Sequence, residues 1–404
     1  MRQCDIAIIG AGAAGMTAAI AAAREAERRK QILLIEKEAA PGKKLLATGN
    51  GRCNLANRNT GAAYYRGDRA FIEAVFRARS PEESLSFFRS IGIPVTDDGS
   101  GRLYPLSRRA GAVVAALRNE CARLGIETLC ETEITGIKKQ SDGFLLNGRI
   151  SARALIVASG GAAGLRRKDA CVSYDLLASV GIDSSPRYPC LCGLRLAEYP
   201  SALKGVRNIS RVTAFAGNEP LHEETGEVQF NADGVSGIPV MQASAPVSQA
   251  LERGKACRLT LDLLPQTDGK RLSDELGRLA DRYRTIPAQE LFGGFLPKPL
   301  CVFLLKKIGV SPAAGFPREK AGALADAMKN MTFPVAGTAD FPDAQVTGGG
   351  AYTDRFDPAT LQARAVPGLF AAGEVLDVTG LCGGYNLMWA WSTGYAAGRA
   401  AGKF

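Results

Sequence analysis

A glycine-rich turn between a predicted strand and a predicted helix stands near the start of this 404-residue chain. Asp5 and the apolar residues 6–9 lead into Gly10, Gly12 and Gly15, and residues 16–23 form another apolar stretch. Glycines at this spacing let the backbone turn tightly and approach a pyrophosphate, which the N–H groups and dipole of the following helix stabilise. The pattern predicts a dinucleotide-binding turn.

A carboxylate follows at the distance that this prediction requires. The apolar residues 32–35 predict a second strand, which ends in Glu36. An acid about 20 residues beyond the glycines hydrogen-bonds an adenosine ribose and disfavours a 2′-phosphate. The alternative, a turn that only packs a helix against a strand, leaves this spacing unexplained.

A second strand-glycine-helix pattern lies at the other end of the chain. Residues 368–373 predict a buried strand that ends at Glu374, and Gly383 and Gly384 precede a helix predicted over residues 386–400. A plain NAD enzyme does not need this second helix N-terminus, whereas FAD, which spans a longer crevice, does. The two ends together predict an FAD site, with helix capping as the alternative role for Glu374 and Asp377.

Four motifs carry a resemblance to a known family. They are residues 41–54, 101–105, 347–350 and 373–386. In this order they resemble the bacterial BaiN/YhiN-like flavoproteins, also called aminoacetone-oxidase-like, over nearly the whole chain. The resemblance implies an FAD-dependent oxidoreductase.

The motifs and the resemblance together give a set of predicted cofactor contacts. No catalytic residue and no metal ligand is assigned. The predicted contacts are Gly10, Gly12, Ala13, Ala14, Gly15, Glu36, Lys37, Lys43, Lys44, Thr48, Gly49, Asn50, Gly51, Arg52, Cys53, Asn54, Ile134, Ala158, Ser159, Gly160, Gly161, Gly373, Glu374, Asp377, Gly383, Gly384, Tyr385, Asn386 and Leu387.

Several side chains have a structural alternative. Cys53 has no second cysteine at a CxxC or CxxxxC spacing, so a small packed residue is preferred to a redox thiol. Tyr385 is expected either to stack on the flavin or to pack in the core. His222, the single histidine, lies in a charged stretch and is expected to be exposed and non-catalytic.

A further glycine-rich segment follows a predicted strand at residues 159–164. It could form a second nucleotide site, but no acidic strand terminus follows at the required distance. NAD(P)H is therefore kept as a candidate electron donor without a dedicated domain. Where the family has a Gly-Ser-Thr-Gly-Asp-Gly-Tyr type of segment, this chain has residues 165–174, so no substrate role is carried over to them.

Composition bears on the compartment of the protein and on the kinds of partner it binds. The ten cysteines are scattered and suit free thiols in a reducing compartment. No apolar run approaches the roughly 20 residues that span a bilayer, which predicts a cytoplasmic protein without a membrane partner. The formal net charge of +10 favours anionic partners, among them the cofactor, an anionic substrate and RNA. Oligomeric state is not predicted.

The pattern along the chain predicts an α/β fold of the two-dinucleotide-binding type. A doubly wound, Rossmann-like FAD-binding domain is expected from residues 1–187 and 348–404. Short β-type runs predict an inserted antiparallel, barrel-like domain over residues 188–267 and 330–347. Helical periodicity predicts a helical subdomain over residues 268–329. Within the first domain, the pattern predicts a helix over residues 106–124 and strands over residues 126–138 and 144–150.

The expected activity is hydride transfer between the flavin N5 atom and a substrate. A reductase of a C=C bond or a related oxidase, acting on a small molecule, is the leading expectation. The resemblance implies unsaturated steroids, amines or uridine in ribosomal RNA, so an RNA-modifying reductase that forms dihydrouridine is one alternative. A non-catalytic, FAD-bound redox sensor is another.

Overall fold

The computed structural model describes residues 1–27, 29–164 and 173–404. Most of the segment in which the sequence departs from the family, residues 165–172, lies outside the described residues. The chain divides into a first unit, Met1–Arg187 with Val346–Phe404, and an inserted unit, Tyr188–Gln345.

Strands and helices alternate through the first unit, and strands dominate the first half of the inserted unit. The strands are β1 Arg2–Ile9, β2 Ile32–Ile35, β3 Ala56–Asn57, β4 Tyr65–Gly67, β5 Val95–Asp97, β6 Arg102–Pro105, β7 Glu127–Leu129, β8 Ile137–Gln140, β9 Gly143–Leu146, β10 Ile150–Val157, β11 Tyr188–Cys190, β12 Leu194–Leu196, β13 Arg207–Ala216, β14 Glu219–Phe230, β15 Gly234–Ser236, β16 Cys257–Asp262, β17 Met331–Thr338, β18 Val346–Gly348, β19 Leu369–Ala371 and β20 Val378–Gly380. The helices are α1 Ala13–Glu25, α2 Lys43–Ala47, α3 Arg69–Ala78, α4 Pro81–Ser90, α5 Ala110–Arg123, α6 Ser173–Ala178, α7 Ile238–Glu252, α8 Gly269–Arg282, α9 Ala288–Leu291, α10 Lys298–Lys307, α11 Ala321–Lys329 and α12 Tyr385–Lys403.

A seven-stranded sheet forms the centre of the first unit. Its order is β7-β2-β1-β10-β9-β8, and β19 pairs with the carboxyl half of β10. The strands β7, β2, β1, β10 and β19 are parallel, whereas β9 and β8 form an antiparallel hairpin. Parallel strands buried on both faces consist of apolar runs, as in the fully buried β2. The glycine turn and the C-terminal motif therefore meet at the carboxyl edge of one sheet.

Small residues let the first and last helices of this unit pack with their backbones in contact. A Cβ built on Gly394 of α12 would lie 2.4 Å from the backbone oxygen of Ala14 in α1. One built on Gly402 would lie 2.8 Å from the oxygen of Ala22. With the contact of Gly398 against Ala18 between them, these positions repeat every four residues along one face of each helix. The two helix N-termini are thereby drawn toward the same end of the sheet.

The inserted unit is a closed barrel with helices. The barrel order is β12-β15-β14-β13-β16-β17, and β17 closes on β12. The alternating burial of β13 gives the barrel an apolar interior. The helices α7 to α11 belong to the same unit.

Two predicted elements were wrong in extent. The helix predicted over residues 106–124 begins only at Ala110, because Arg108 has a φ of +50° and its N–H bonds back to the Pro105 oxygen in a turn. The strand predicted over residues 126–138 is two short strands, β7 and β8, which pair with different neighbours.

Within residues 1–27, 29–164 and 173–404, no helix has both the length and the apolar character that crossing a bilayer requires.

Candidate functional site

The N-terminal glycines divide into two that packing requires and one that faces open space. A Cβ on Gly15 would lie 1.7 Å from the Gly10 oxygen, and one on Gly10 would lie 2.6 Å from the Ala158 oxygen. Nothing lies within 4 Å of the position that a Cβ on Gly12 would take. The helix α1 begins behind Gly12 with no side-chain cap and no acidic residue in its first turn. The first N–H groups of α1, including those of Ala13 and Ala14, therefore have no side-chain cap and begin beside open space at Gly12.

Glu36 holds this turn from the end of the neighbouring strand β2. Its Oε2 atom accepts a hydrogen bond of 2.8 Å from the Ala11 N–H, and its Oε1 atom accepts one of 3.0 Å from the Glu38 N–H. A carboxylate has about four acceptor positions, so the two bonds leave capacity for hydroxyl donors. Lys37 follows and is half-buried, whereas the more distant Ile134 is fully buried.

The glycine-rich segment that follows forms α2 and a tight loop. Gly49, Asn50, Gly51 and Cys53 all have positive φ, and the N–H groups of Gly51 and Cys53 both bond to the Thr48 oxygen. Asn50, Gly51 and Arg52 are exposed, whereas the Cys53 side chain is fully buried. Burial raises the pKa of the Cys53 thiol to about 12. Cys53 is therefore a protonated packing residue at neutral pH.

Two asparagines join this segment to the far end of the chain. In the amide orientation that satisfies its neighbours, Asn54 donates to the oxygens of Ala56 and Leu103 and accepts from the Gly384 N–H at 3.1 Å. The Asn57 amide donates to the Gly383 oxygen at 2.9 Å. Both bonds fix the loop that precedes α12. Asn57 was absent from the predicted contacts.

Lys43 and Lys44 have different partners. The Nζ atom of Lys43 lies 2.7 Å from Glu38 at the surface, whereas that of Lys44 lies 2.7 Å from Oε2 of Glu374, 330 positions away. The other oxygen of Glu374 accepts from the Thr347 N–H at 2.8 Å. Lys44 thus connects the N-terminal segment to the C-terminal motif.

The segment after β10 reaches the same place. A Cβ on Gly161 would lie 2.4 Å from the Thr347 hydroxyl and 2.9 Å from Oε1 of Glu374. Gly160 has a φ of +74°, and Ser159 lies next to it with its hydroxyl 2.9 Å from that of Ser173. The structure therefore brings residues of three other predicted segments, 41–54, 159–164 and 347–350, together around Glu374. Thr347 belongs to one of these motifs but was not among the predicted contacts.

The N-terminus of α12 is presented by Gly384, which has a left-handed conformation and provides no side-chain cap. Asn386 accepts from the Gly380 N–H and donates to the Gly380 oxygen, which closes the preceding loop. Leu387 follows in the first turn and is half-buried. As at α1, the dipole of this helix favours negative charge at its start.

Tyr385 packs between two other tyrosines. Its ring stacks on that of Tyr64 at 4.9 Å with an interplanar angle of 8°, and it meets the Tyr65 ring edge-on at 5.8 Å. The Tyr65 hydroxyl donates to the Tyr385 oxygen at 2.9 Å. Burial raises the pKa of Tyr385 to about 12, and the neighbouring Tyr64 acts in the same direction. Of the two predicted roles, packing is observed, and Tyr64 is a contact that the sequence did not reveal.

Asp377 lies between the two parts of the C-terminal motif. Its N–H bonds to the Ala351 oxygen at 2.9 Å. Burial raises the pKa of its carboxyl group, and a hydrogen bond from Ser185 opposes the shift. The preceding Gly373 has a φ of +80°, and its N–H bonds to the Thr393 hydroxyl. Thr393 is a further residue that sequence reasoning missed.

This arrangement fits FAD. Two uncapped helix N-termini, α1 and α12, stand on one unit, with the Glu36 carboxylate beside the first. Gly12 leaves room in front of α1 that a side chain would fill. An elongated dinucleotide with a central pyrophosphate needs this combination of backbone donors and a ribose acceptor.

Comparison with known proteins identifies the family. The model described as "HI0933-like protein Rossmann domain" matches residues 4–400. The chain belongs to this family. It is 37% identical to the 3-dehydro-bile acid delta(4,6)-reductase of Clostridium scindens, over 98% of this chain and 99% of that protein. It is 30% identical to the ribosomal RNA dihydrouridine synthase of Escherichia coli, over 98% of this chain and 97% of that protein.

The fold is also found in a solved structure. The FrdA subunit of Escherichia coli quinol fumarate reductase aligns with a TM-score of 0.52 and 18% identity, covering all of this chain and 71% of FrdA. This likeness concerns the fold. The predicted fold class, the family and the class of activity, an FAD-dependent oxidoreductase, are confirmed. The individual cofactor contacts stay predictions.

Proposed function

We propose that this protein reduces a C=C bond conjugated to a carbonyl group. The names of two full-length relatives carry the proposal. One name describes reduction at positions 4 and 6 of a 3-oxo compound, and the other describes reduction of uridine, in which the pyrimidine C=C bond is also conjugated to a carbonyl group. The two substrates differ in size and charge, but their reacting groups are alike.

The residues proposed to hold FAD all belong to the first unit. The N–H groups at the start of α1 would receive the pyrophosphate, and Glu36 would accept from the adenosine ribose. Lys44 carries a positive charge beside Glu374 and would add to the stabilisation of phosphate. The start of α12, fixed by Asn386, would stabilise negative charge on the flavin. FAD, when bound, supplies hydride chemistry.

We further propose NADPH or NADH as the electron donor. The visible spectrum of the FAD-loaded protein, recorded without oxygen, should bleach after either nucleotide is added. Failure of both nucleotides to bleach the flavin, while dithionite does so, would contradict this donor. The result does not bear on the substrate, which needs a separate measurement.

The substrate proposal is tested with protein that has been reduced anaerobically. A conjugated ketone such as a 3-oxo-4-ene steroid should restore the oxidised flavin spectrum and gain two hydrogens, as shown by mass spectrometry. The matched control is the same ketone without the C=C bond, which should leave the flavin reduced. If conjugated ketones and uridine-containing RNA all fail to reoxidise the flavin, the proposed reaction is wrong.

RNA is a second candidate substrate because the positive charge is unevenly distributed. The first unit has 32 Lys and Arg residues against 23 Asp and Glu residues, whereas the inserted unit has 18 against 17. Nearly all of the net charge therefore belongs to the unit that contains the candidate site. Charge of this kind favours a polyanion and makes its binding depend on salt.

The RNA candidate predicts two observations. Affinity for ribosomal RNA should fall steeply as salt rises, with a slope that reports the number of phosphate contacts. Deletion of the gene should also remove a dihydrouridine from ribosomal RNA. Unchanged dihydrouridine in the deletion strain would exclude this substrate and leave the small-molecule reaction in place.

A further inference from the structure

Arg102 carries a half-buried positive charge and is not among the residues proposed to bind the cofactor. It begins β6, in the motif 101–105 that the sequence singled out without a role. Among the described residues its guanidinium forms no ion pair within 4.0 Å and no side-chain hydrogen bond, although Asp98 lies within the range of its charge. Burying a charge without a partner costs free energy, so a half-buried arginine without an ion pair is a candidate for binding an anionic or carbonyl oxygen.

This guanidinium lies beside the loop that leads into α12. A Cβ built on Gly383 would lie 3.8 Å from the Arg102 Nε atom, 3.4 Å from the Asn57 amide nitrogen and 3.6 Å from the Tyr385 ring. The positive charge of Arg102 also acts on the Tyr385 hydroxyl, where it opposes the effect of burial. The cation therefore lies at the glycine loop, within reach of the stacked Tyr64–Tyr385 pair.

Neighbouring arginines of the same small sheet region are engaged otherwise. Arg58, which follows β3, forms an ion pair of 2.8 Å with Asp97 and is 69% exposed. Arg108 lies with its guanidinium 5.8 Å from the centre of the Tyr104 ring. Neither residue is among the three nearest neighbours of the Cβ position at Gly383. Arg102 differs from both because its charge is available at the loop.

Reduction of a conjugated carbonyl compound develops negative charge on the carbonyl oxygen, which a positive charge nearby would stabilise. The hydride brings two electrons and one hydrogen to the carbon β to the carbonyl, and the C=C electron pair moves so that the carbonyl oxygen becomes an enolate oxygen. A proton from solvent then adds to the α carbon and restores the carbonyl group. A preorganised cation near the oxygen stabilises the charge that develops in the transition state. Arginine suits this role because it stays protonated and its N–H groups diverge in a fixed plane.

We propose that Arg102 binds the carbonyl oxygen of the substrate and stabilises its enolate during reduction. The inference rests on the proposed function, because it assumes a substrate with a conjugated carbonyl group. The lack of a side chain at Gly383 leaves the Arg102 guanidinium accessible at the loop, since a Cβ there would contact Arg102, Asn57 and Tyr385 together. The stacked tyrosines would bound the flat substrate beside the guanidinium.

A binding experiment tests the proposal without turnover. Phenolates resemble enolates in their flat shape and charged oxygen, and they give a long-wavelength absorption band when they lie against an oxidised flavin. We expect 4-chlorophenol to produce this band with the FAD-loaded wild type. Arg102→Gln should weaken the binding at least tenfold, and Arg102→Lys, which keeps the charge, should recover part of it. Arg58→Gln is the matched control and should bind as the wild type does.

Folding and FAD content provide the check on these variants. Because the described Arg102 side chain makes no hydrogen bond, its replacement should leave the melting temperature and the bound FAD unchanged. Equal phenolate binding by the wild type and by Arg102→Gln would overturn the proposal. So would the absence of a phenolate complex with the wild type.

Flavin reoxidation separates this inference from the proposed function. If conjugated ketones reoxidise wild-type protein and Arg102→Gln slows reoxidation at least 100-fold, both hold. If Arg102→Gln reoxidises as fast as the wild type, Arg102 has no such role, but the reaction stands. If no conjugated carbonyl compound reoxidises the wild type, the proposed function fails, whatever the variants do.

Discussion

Gly398 of α12 lies against the backbone oxygen of Ala18 in α1, so closely that a Cβ on Gly398 would be 2.1 Å from that oxygen. The oxygen belongs to a rigid helix and cannot move aside as a flexible side chain could. The contact is one of three spaced by four residues along the two helices. It sets the distance between the helices that begin at the two halves of the cofactor site.

Gly398→Ala should therefore destabilise the protein. Overpacking a tight interior contact costs about 1–3 kcal/mol, and a backbone clash belongs at the upper end of that range. Gly111→Ala is the control, because Gly111 is an exposed position of α5 with nothing within 4 Å of its Cβ position. The control should be neutral or more stable by about 0.5–1 kcal/mol. Urea unfolding followed by circular dichroism measures both, and equal midpoints would contradict the packing argument.

Glu36→Gln should weaken FAD binding, because it removes the proposed ribose acceptor and disturbs the turn that holds the cofactor. The Glu36 carboxylate accepts hydrogen bonds from two backbone N–H groups, one at each oxygen. A glutamine amide has a single acceptor oxygen, so its NH2 group would face the second N–H group, donor against donor. Loss of a charged acceptor costs about 1.5–3 kcal/mol, so FAD affinity should fall about 10- to 100-fold. Flavin fluorescence during titration with FAD measures the affinity.

Glu38→Gln is the control for this experiment. Glu38 lies two residues away, and its carboxylate pairs with Lys43 at the surface. Exposed ion pairs contribute about 0–1 kcal/mol, so FAD affinity should stay close to that of the wild type. A similar loss in both variants would show that the effect is not specific to the Glu36 carboxylate.

Cys53 should resist alkylation in the native protein. Burial raises the pKa of the Cys53 and Cys121 thiols to about 12, so at pH 8 neither supplies the thiolate that reacts with iodoacetamide. Cys130 and Cys382 are only half-buried and should be modified before either of these. Peptide mass spectrometry after timed labelling identifies the modified sites. Rapid labelling of Cys53 before unfolding would revive the redox-thiol hypothesis.

Glu120 should make stability depend on acid. Its carboxylate lies 2.6 Å from the Arg24 guanidinium and 2.7 Å from that of Arg123, and hydrogen bonds, above all from Arg123, lower its pKa to about 2. A lowered pKa stabilises the fold above the unfolded value of 4.5, and this contribution is lost as the pH falls toward 2.

Glu120→Gln should therefore lower the free energy of unfolding at pH 7 by about 1.5–3 kcal/mol, and the difference from the wild type should shrink below pH 4.5. Glu82→Gln, which removes an exposed pair with Arg89, is the control and should change little at either pH. A difference that is the same at pH 3 and pH 7 would contradict the assignment to this carboxylate.

The parts of the site that the sequence predicted are local in the chain. The turn from Gly10 to Gly15 and the carboxylate at Glu36 have fixed spacings, because a strand, a turn and a helix impose them. Contacts between distant segments carry no such spacing. The amide of Asn57 bonds to the oxygen of Gly383, 326 positions away, and neither residue type predicts the other.

Some predicted boundaries of helices and strands were wrong for a similar reason. The helix predicted over residues 106–124 starts too early, because the left-handed Arg108 makes a turn before Ala110. Arg102 was missed because a lone arginine in a strand has no signature, and its isolation is visible only when its neighbours are known. The barrel was recognisable as antiparallel strands, whereas its closure between β12 and β17 depends on a pairing over more than 100 residues.

The packing of α12 on α1 also bears on how the protein is made. The ribosome produces α1 more than 300 residues before α12, and β19 is likewise a late partner for β10. Until then the alanine face of α1 and one edge of the sheet have nothing to cover them. Contacts this distant close slowly and expose apolar surface in the meantime. The inserted unit, whose strands and helices are all made earlier, can fold while the first unit waits. Because the candidate FAD site includes the N-termini of both helices, we expect FAD to bind only after α12 has left the ribosome.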